Sequence, residues 1–140
     1  MTHLIGTTLG PYRILELVGQ GGMARVYRAY HPELDRNVAI KILPDYLGGE
    51  MVLYRRFRQE AQIISRLEHP HIVPVYDFGQ QGGVPYLVMR YIQCATVREL
   101  LAHGPQPVAA VAVIISAVAS GLDYAHQRGI LHRDVKPSNI

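Results

Sequence analysis

A single cysteine, Cys94, is all the thiol chemistry this 140-residue chain possesses. That excludes an internal disulfide and fits a reducing cytosol. Met1 to Gly10 offers neither a basic start nor an apolar run, so nothing there has the form of a signal peptide. The longest weakly polar stretch, Val108 to Ala119, is too short to span a bilayer, and a cytoplasmic chain without a membrane segment is expected. Strong charge is missing too: the net charge is +3, and the arginines are scattered over helical positions with no aromatic platforms between them. This argues against nucleic acid as a partner. Repeats and low-complexity segments are absent. What is present is apolar mass: 49% of the residues are hydrophobic, ample for a globular core at single-domain length.

Alternation from Tyr12 to Gly19 predicts a strand that runs into Gly19-Gln20-Gly21-Gly22-Met23-Ala24-Arg25-Val26. Glycines in such a turn let the backbone approach a phosphate and point its N–H groups inward, although a plain hairpin explains them equally well. A second strand follows from Val26 to Tyr30, and a third spans Val38 to Leu43. With period 2, Ala39, Lys41 and Leu43 share one face of this third strand, while Val38, Ile40 and Ile42 share the other. A lysine in mid-strand either reaches water or needs a partner.

Gly48 and Gly49 break the chain before a helix over Met51 to Leu67, whose apolar stripe is Leu53, Phe57, Ile64 and Leu67. Glu60 falls inside that stripe and calls for a cationic partner, unless it snorkels from the stripe's edge. The helix arginines form a solvated face. His69-Pro70-His71 reads as a helix-ending turn rather than half of a zinc site, because no second ligand pair stands nearby. Two more strands, Val73 to Phe78 and Val84 to Tyr91, are joined by Gln80-Gln81-Gly82-Gly83. Thr96 is placed to cap a short helix through His103. A long helix from 107 to 128 follows, apolar almost all round and therefore expected to be buried, with Gly129 as its stop.

The run Ile130-Leu131-His132-Arg133-Asp134-Val135-Lys136-Pro137-Ser138-Asn139-Ile140 sets a carboxylate, an ammonium and an amide on one short loop. That trio suits phosphoryl transfer: the carboxylate orients an attacking hydroxyl and accepts its proton, the ammonium offsets charge on the moving group, and the amide oxygen holds magnesium. The run resembles the catalytic loop H-R-D-L-x-x-x-N of eukaryotic-type protein kinases, with Val135 in the leucine position. Upstream, Gly19, Gly21 and Val26 match the kinase glycine-rich pattern with Ala24 replacing its third glycine, and Val38 to Lys41 matches V-A-I-K. The motifs stand in kinase order, so the chain resembles a bacterial eukaryotic-like serine/threonine protein kinase from the start of its small lobe through the catalytic loop.

The resemblance implies an α+β fold: an antiparallel five-stranded small lobe with one main helix and a hinge over 12–92, then the start of a mostly helical large lobe over 93–140. It implies transfer of the ATP γ-phosphoryl group to Ser or Thr hydroxyls of a protein substrate, with Mg2+ as the metal. ATP contacts would come from Val18, Gly19, Gln20, Gly21, Gly22, Met23, Ala24, Arg25 and Val26, and from Ala39, Lys41, Glu60, Met89, Arg90 and Ile92. Asp134, Lys136 and Asn139 would be catalytic, Asn139 also binding metal, and Lys41 would pair with Glu60. Arg90 stands where the family has an acidic residue, and Gln93-Cys94-Ala95 lacks its small acidic and glycine pair. His132 would bond the loop's own backbone, and Arg133 would answer to a phosphorylated activation loop. The D-F-G, activation segment and A-P-E motifs do not occur within these 140 residues, so the chain alone is expected neither to catalyse transfer nor to fold stably throughout, whereas the small lobe from Tyr12 to Ile92 can fold because its sheet and helix bury each other. Two alternatives remain at this stage: an inactive nucleotide-binding or scaffold fragment, and a small-molecule phosphotransferase of the same fold, against which Lys136-Pro137 argues.

Overall fold

A computed structural model describes residues 4–21, 24–43 and 51–140. The expected turn positions Gly22, Met23, Gly48 and Gly49 lie outside these residues. The chain divides into two compact units, one of Met1–Arg66 with Pro74–Ile92, the other of Leu67–Val73 with Gln93–Ile140.

The first unit is an antiparallel sheet in the order β1-β2-β3-β4-β6-β5. Its strands are β1 (Thr8–Leu9), β2 (Tyr12–Gly21), β3 (Ala24–His31), β4 (Arg36–Ile42), β5 (Val75–Gln81) and β6 (Val84–Arg90). Five long strands were expected and a sixth is present. Strand β1 has two residues, paired as Thr8↔Arg13 and Leu9↔Tyr12, too few to leave a periodic signal. Alternation in β4 is resolved as the sequence requires: Val38, Ile40 and Ile42 are buried, and Lys41 between them is exposed. With Leu9, Tyr12, Ile14, Tyr27, Ala29, Tyr86 and Val88 they form the core. Each fully buried aliphatic side chain there is worth about 1.5–3 kcal/mol.

The sheet curls until its two edges meet. The Gln81 side chain, at the end of β5, accepts from Gly10 N–H at 2.9 Å and donates to the Thr8 carbonyl at 3.1 Å. Tyr12 on β2 also donates to Asp77 Oδ2 on β5 at 3.2 Å. The helix α1 (Met51–Ile64) turns Phe57 and Ala61 inward. Glu60 does not lie in the buried stripe as expected; it is exposed, and among the described residues the ion pairs do not include it.

In the second unit α2 (Val97–Leu101) opens with a complete capping box. Thr96 accepts from the Glu99 N–H, and Glu99 accepts in turn from the Thr96 N–H. The helix α3 (Val108–His126) has two buried residues, Gly121 and Ala125, and Val113 and Ile115 are 70% and 58% exposed. The expectation of a wholly buried helix is corrected: the segment 69–72 covers only the small-residue side. A Cβ at Gly121 would stand 3.2 Å from the His71 carbonyl oxygen, so glycine is what permits this approach. Glu68 N–H donates to Tyr124 Oη at 3.1 Å, and His69 Nε2 lies 3.2 Å from Ser120 Oγ. By length and composition α3 is apolar enough to cross a membrane, which the shorter stretch Val108 to Ala119 had not suggested. Gly129, at φ +75°, ends the helical turn beyond α3.

Candidate functional site

One candidate surface is the face of the first unit's sheet opposite the core. Register places Val26 across from Lys41, and Lys41 across from Leu87; in the next row but one, Arg28 stands across from Ala39, and Ala39 from Met89. Because side chains alternate along each strand, these residues share one face. Val26, Ala39, Lys41 and Met89, expected from three separate stretches of sequence, therefore project to the same side. Gly19 pairs with Val26, Gln20 with Arg25 and Gly21 with Ala24, so β2 and β3 stay paired up to Gly21 and Ala24. Irregularities at Leu15 and Val18 shift the register between these strands. A Cβ at Gly19 would meet nothing within 4 Å, so the surface beside it is open. Val18, Gln20, Arg90 and Ile92 are exposed.

Lys41 and Glu60, both exposed, are not joined; among the described residues the ion pairs are Arg28–Glu16 and Lys136–Asp134. Arg28 and Glu16 were missed in the sequence. They are cross-strand partners 2.7 Å apart on the same face as Ala39 and Met89, and the Arg28 guanidinium lies 5.9 Å from the centre of the Tyr91 ring. The available signal was that Arg28 follows Val26 by one strand period.

The second candidate surface is the loop after α3. Asp134 Oδ2 accepts from Lys136 Nζ at 2.8 Å and from Asn139 Nδ2 at 3.0 Å, and Asn139 Nδ2 also reaches the Asp134 carbonyl at 2.8 Å. The Lys136 bond, then the Asn139 bond, hold the Asp134 carboxyl below its ordinary pKa, so it is ionised at neutral pH. Pro137–Asn139 form one 3-10 turn, which brings the amide back to the carboxylate. His132 Nδ1 accepts from the Asp134 N–H at 3.3 Å. Arg133, between them, has φ +62°. Val97 N–H donates to the Ile140 carbonyl at 2.8 Å, tying the start of α2 to the end of this loop.

The family model for the protein kinase domain matches residues 12–140. The serine/threonine-protein kinase PrkC of Bacillus subtilis is 45% identical over 139 residues, covering 98% of this chain and 22% of that protein. PknH of Mycobacterium tuberculosis is 39% identical over 137 residues, covering 97% of this chain and 22% of the relative. A crystal structure of the Mycobacterium tuberculosis PknI kinase domain superposes with a TM-score of 0.84 at 37% identity, covering 99% of this chain and 58% of that one. The chain thus spans about a fifth of these curated relatives and just over half of the solved domain. With that family model matching all but the first 11 of its 140 residues, the chain belongs to the protein kinase domain family.

Proposed function

We propose that this chain is the ATP-binding and catalytic-loop portion of a serine/threonine protein kinase, with 12–92 as small lobe and hinge and 93–140 opening the large lobe. The observation that most supports it is the loop at Asp134, where one carboxylate oxygen takes both the ammonium and the amide. That leaves Asp134 Oδ1 to orient a Ser or Thr hydroxyl and accept its proton, and the amide oxygen of Asn139 to ligate a hard cation. Lys136 then faces the phosphoryl group in transit. An amide oxygen is a hard donor of the kind magnesium takes, and the ion would neutralise charge on the phosphates.

On the sheet face, Lys41 supplies a cation for the α- and β-phosphates, and Val18, Val26, Ala39 and Met89 offer apolar contact to the base. The segment from Gly19 to Arg25 covers the phosphates, with the backbone of Arg90 to Ile92 bonding the purine edge. Glu60 pairs with Lys41 in the active state, which requires α1 and β4 to approach. A cytoplasmic location fits an ATP-using domain, and the polar tethers from Glu68 and His69 to α3 suit a helix packed in protein rather than lipid.

The test is γ-phosphate transfer from labelled ATP to a general Ser/Thr protein substrate by a complete kinase domain built on this chain, its remainder supplied by a solved relative. Asp134→Asn is expected to cut kcat by about 100-fold or more with little change in ATP affinity. Lys41→Met is expected to abolish most transfer while leaving the fold intact. Equal turnover from either variant would end the assignment of that residue.

A further inference from the structure

The loop at Asp134 depends on one unusual backbone conformation. Among the described residues two non-glycine residues have positive φ, Asp35 at +44° and Arg133 at +62°. Asp35 has a nearby partner, since its carboxylate accepts from Tyr30 Oη, at the end of β3, at 2.5 Å. Arg133 has no such local bond: its guanidinium makes no hydrogen bond or ion pair with the described residues. A residue bearing a Cβ pays for the left-handed region in steric crowding, and a long side chain without a local bond is rarely found there. The residues on either side show what the conformation achieves. It folds the Asp134 N–H back onto His132 Nδ1 at 3.3 Å and sends the Asp134 side chain forward to Lys136 and Asn139. With Arg133 extended, the Asp134 peptide would swing off the imidazole, and the carboxylate would leave the two groups that hold it.

We propose that Arg133 is a positioning residue through its backbone: its left-handed conformation aims the Asp134 carboxylate, independently of any role of its charge. The proposal rests on the kinase reading for its kinetic consequence, whereas the geometry it describes belongs to the loop alone. His132 takes part as the acceptor that stabilises the turned peptide.

A series at position 133 separates backbone from charge. Gly and Asn enter the left-handed region at lower cost than Ala, which carries the same Cβ as Arg, and β-branched Val pays most; all four lack the guanidinium, and Lys keeps a charge. In the completed kinase domain, Arg133→Gly and Arg133→Asn are expected to exceed Arg133→Ala and Arg133→Val in kcat by about tenfold, with the KM for ATP alike across the four. Equal kcat in Gly, Asn, Ala and Val variants, or activity retained by Lys alone, would overturn the proposal. If Arg133→Val does not fold, the comparison of Asn with Ala decides. The Asp134 amide in the completed kinase domain gives a readout without turnover, because its N–H is turned onto His132 Nδ1. Its 15N–1H resonance should keep the hydrogen-bonded position of the wild type in the Gly and Asn variants and move from it in the Val variant. An unmoved resonance in all of them would refute the backbone role even if no variant transferred phosphate. Absent transfer with the expected pattern would refute the kinase reading and leave the positioning role standing.

Discussion

Gly79 on β5 is where a single methyl group should do most damage to the first unit. A Cβ built there would lie 2.5 Å from Tyr86 Oη, 2.7 Å from Cζ and 3.1 Å from Cε1. These atoms belong to a rigid ring that is only 8% exposed and is part of the core. Retreat on the other side is limited, since a Cβ position at Gly10 is already 3.2 Å from the same hydroxyl. The ring is wedged between two backbones, and Gly79→Ala must displace one of them or force Tyr86 off its rotamer. Overpacking of this kind costs about 1–3 kcal/mol. With a slope of about 1–3 kcal/mol per molar urea for a small domain, the midpoint should fall by roughly 1 M. The chain has no tryptophan and nine tyrosines, so circular dichroism and tyrosine fluorescence report the transition. Tyr86→Phe in the Gly79→Ala background removes the closest contact but leaves the ring carbon, so recovery should be partial and the two changes non-additive. A midpoint unmoved by Gly79→Ala, or strict additivity, would show that the ring is not held as described.

Gln81→Ala removes two bonds to β1, each worth about 0.5–1.5 kcal/mol net, and should speed amide exchange at Gly10 ahead of the core strands; unchanged exchange there would contradict the edge-to-edge bridge. Tyr12 is pushed up to about 12, first by burial and then by Asp77. A raised folded pKa stabilises the fold fully below the unfolded value near 10 and loses that contribution as pH rises toward 12, so alkaline unfolding should steepen in this window. Tyr12→Phe should flatten the dependence in part, because burial raises Tyr86 as well; an identical alkaline profile would count against the Tyr12–Asp77 contact.

Features set by neighbours in sequence were legible; those set by distant segments were not. The alternation of Val38 to Ile42 fixed which side of β4 faces the core, because side-chain direction in a strand is local. Asp134, Lys136 and Asn139 are spaced for one turn, and Thr96 with Glu99 spells a capping box. Strand β1 escaped notice because two residues have no period, and Gln81 looked like a turn residue until the partner 73 positions away was known. Glu60 was misjudged by treating the helix stripe as wide, whereas among the described side chains of α1 the buried ones are Phe57 and Ala61. The all-round apolarity of α3 was plain, but apolarity states a preference for burial and does not supply the covering surface. Backbone φ at Arg133 had no signal at all, since nothing in an arginine announces the left-handed region.

The bridge made by Gln81 also bears on how the first unit comes to be folded. Hairpins β2–β3, β3–β4 and β5–β6 close short loops and can form early, but the bonds from Gln81 to Thr8 and Gly10 join residues 73 and 71 positions apart. Loop-closure entropy delays such contacts until most of the intervening strands are aligned. Residues near Thr8 emerge before Gln81 in synthesis and must wait for it. Until it arrives, β1 has a bare outer edge, and the hairpin it makes with β2 is the segment most exposed to pairing with another chain.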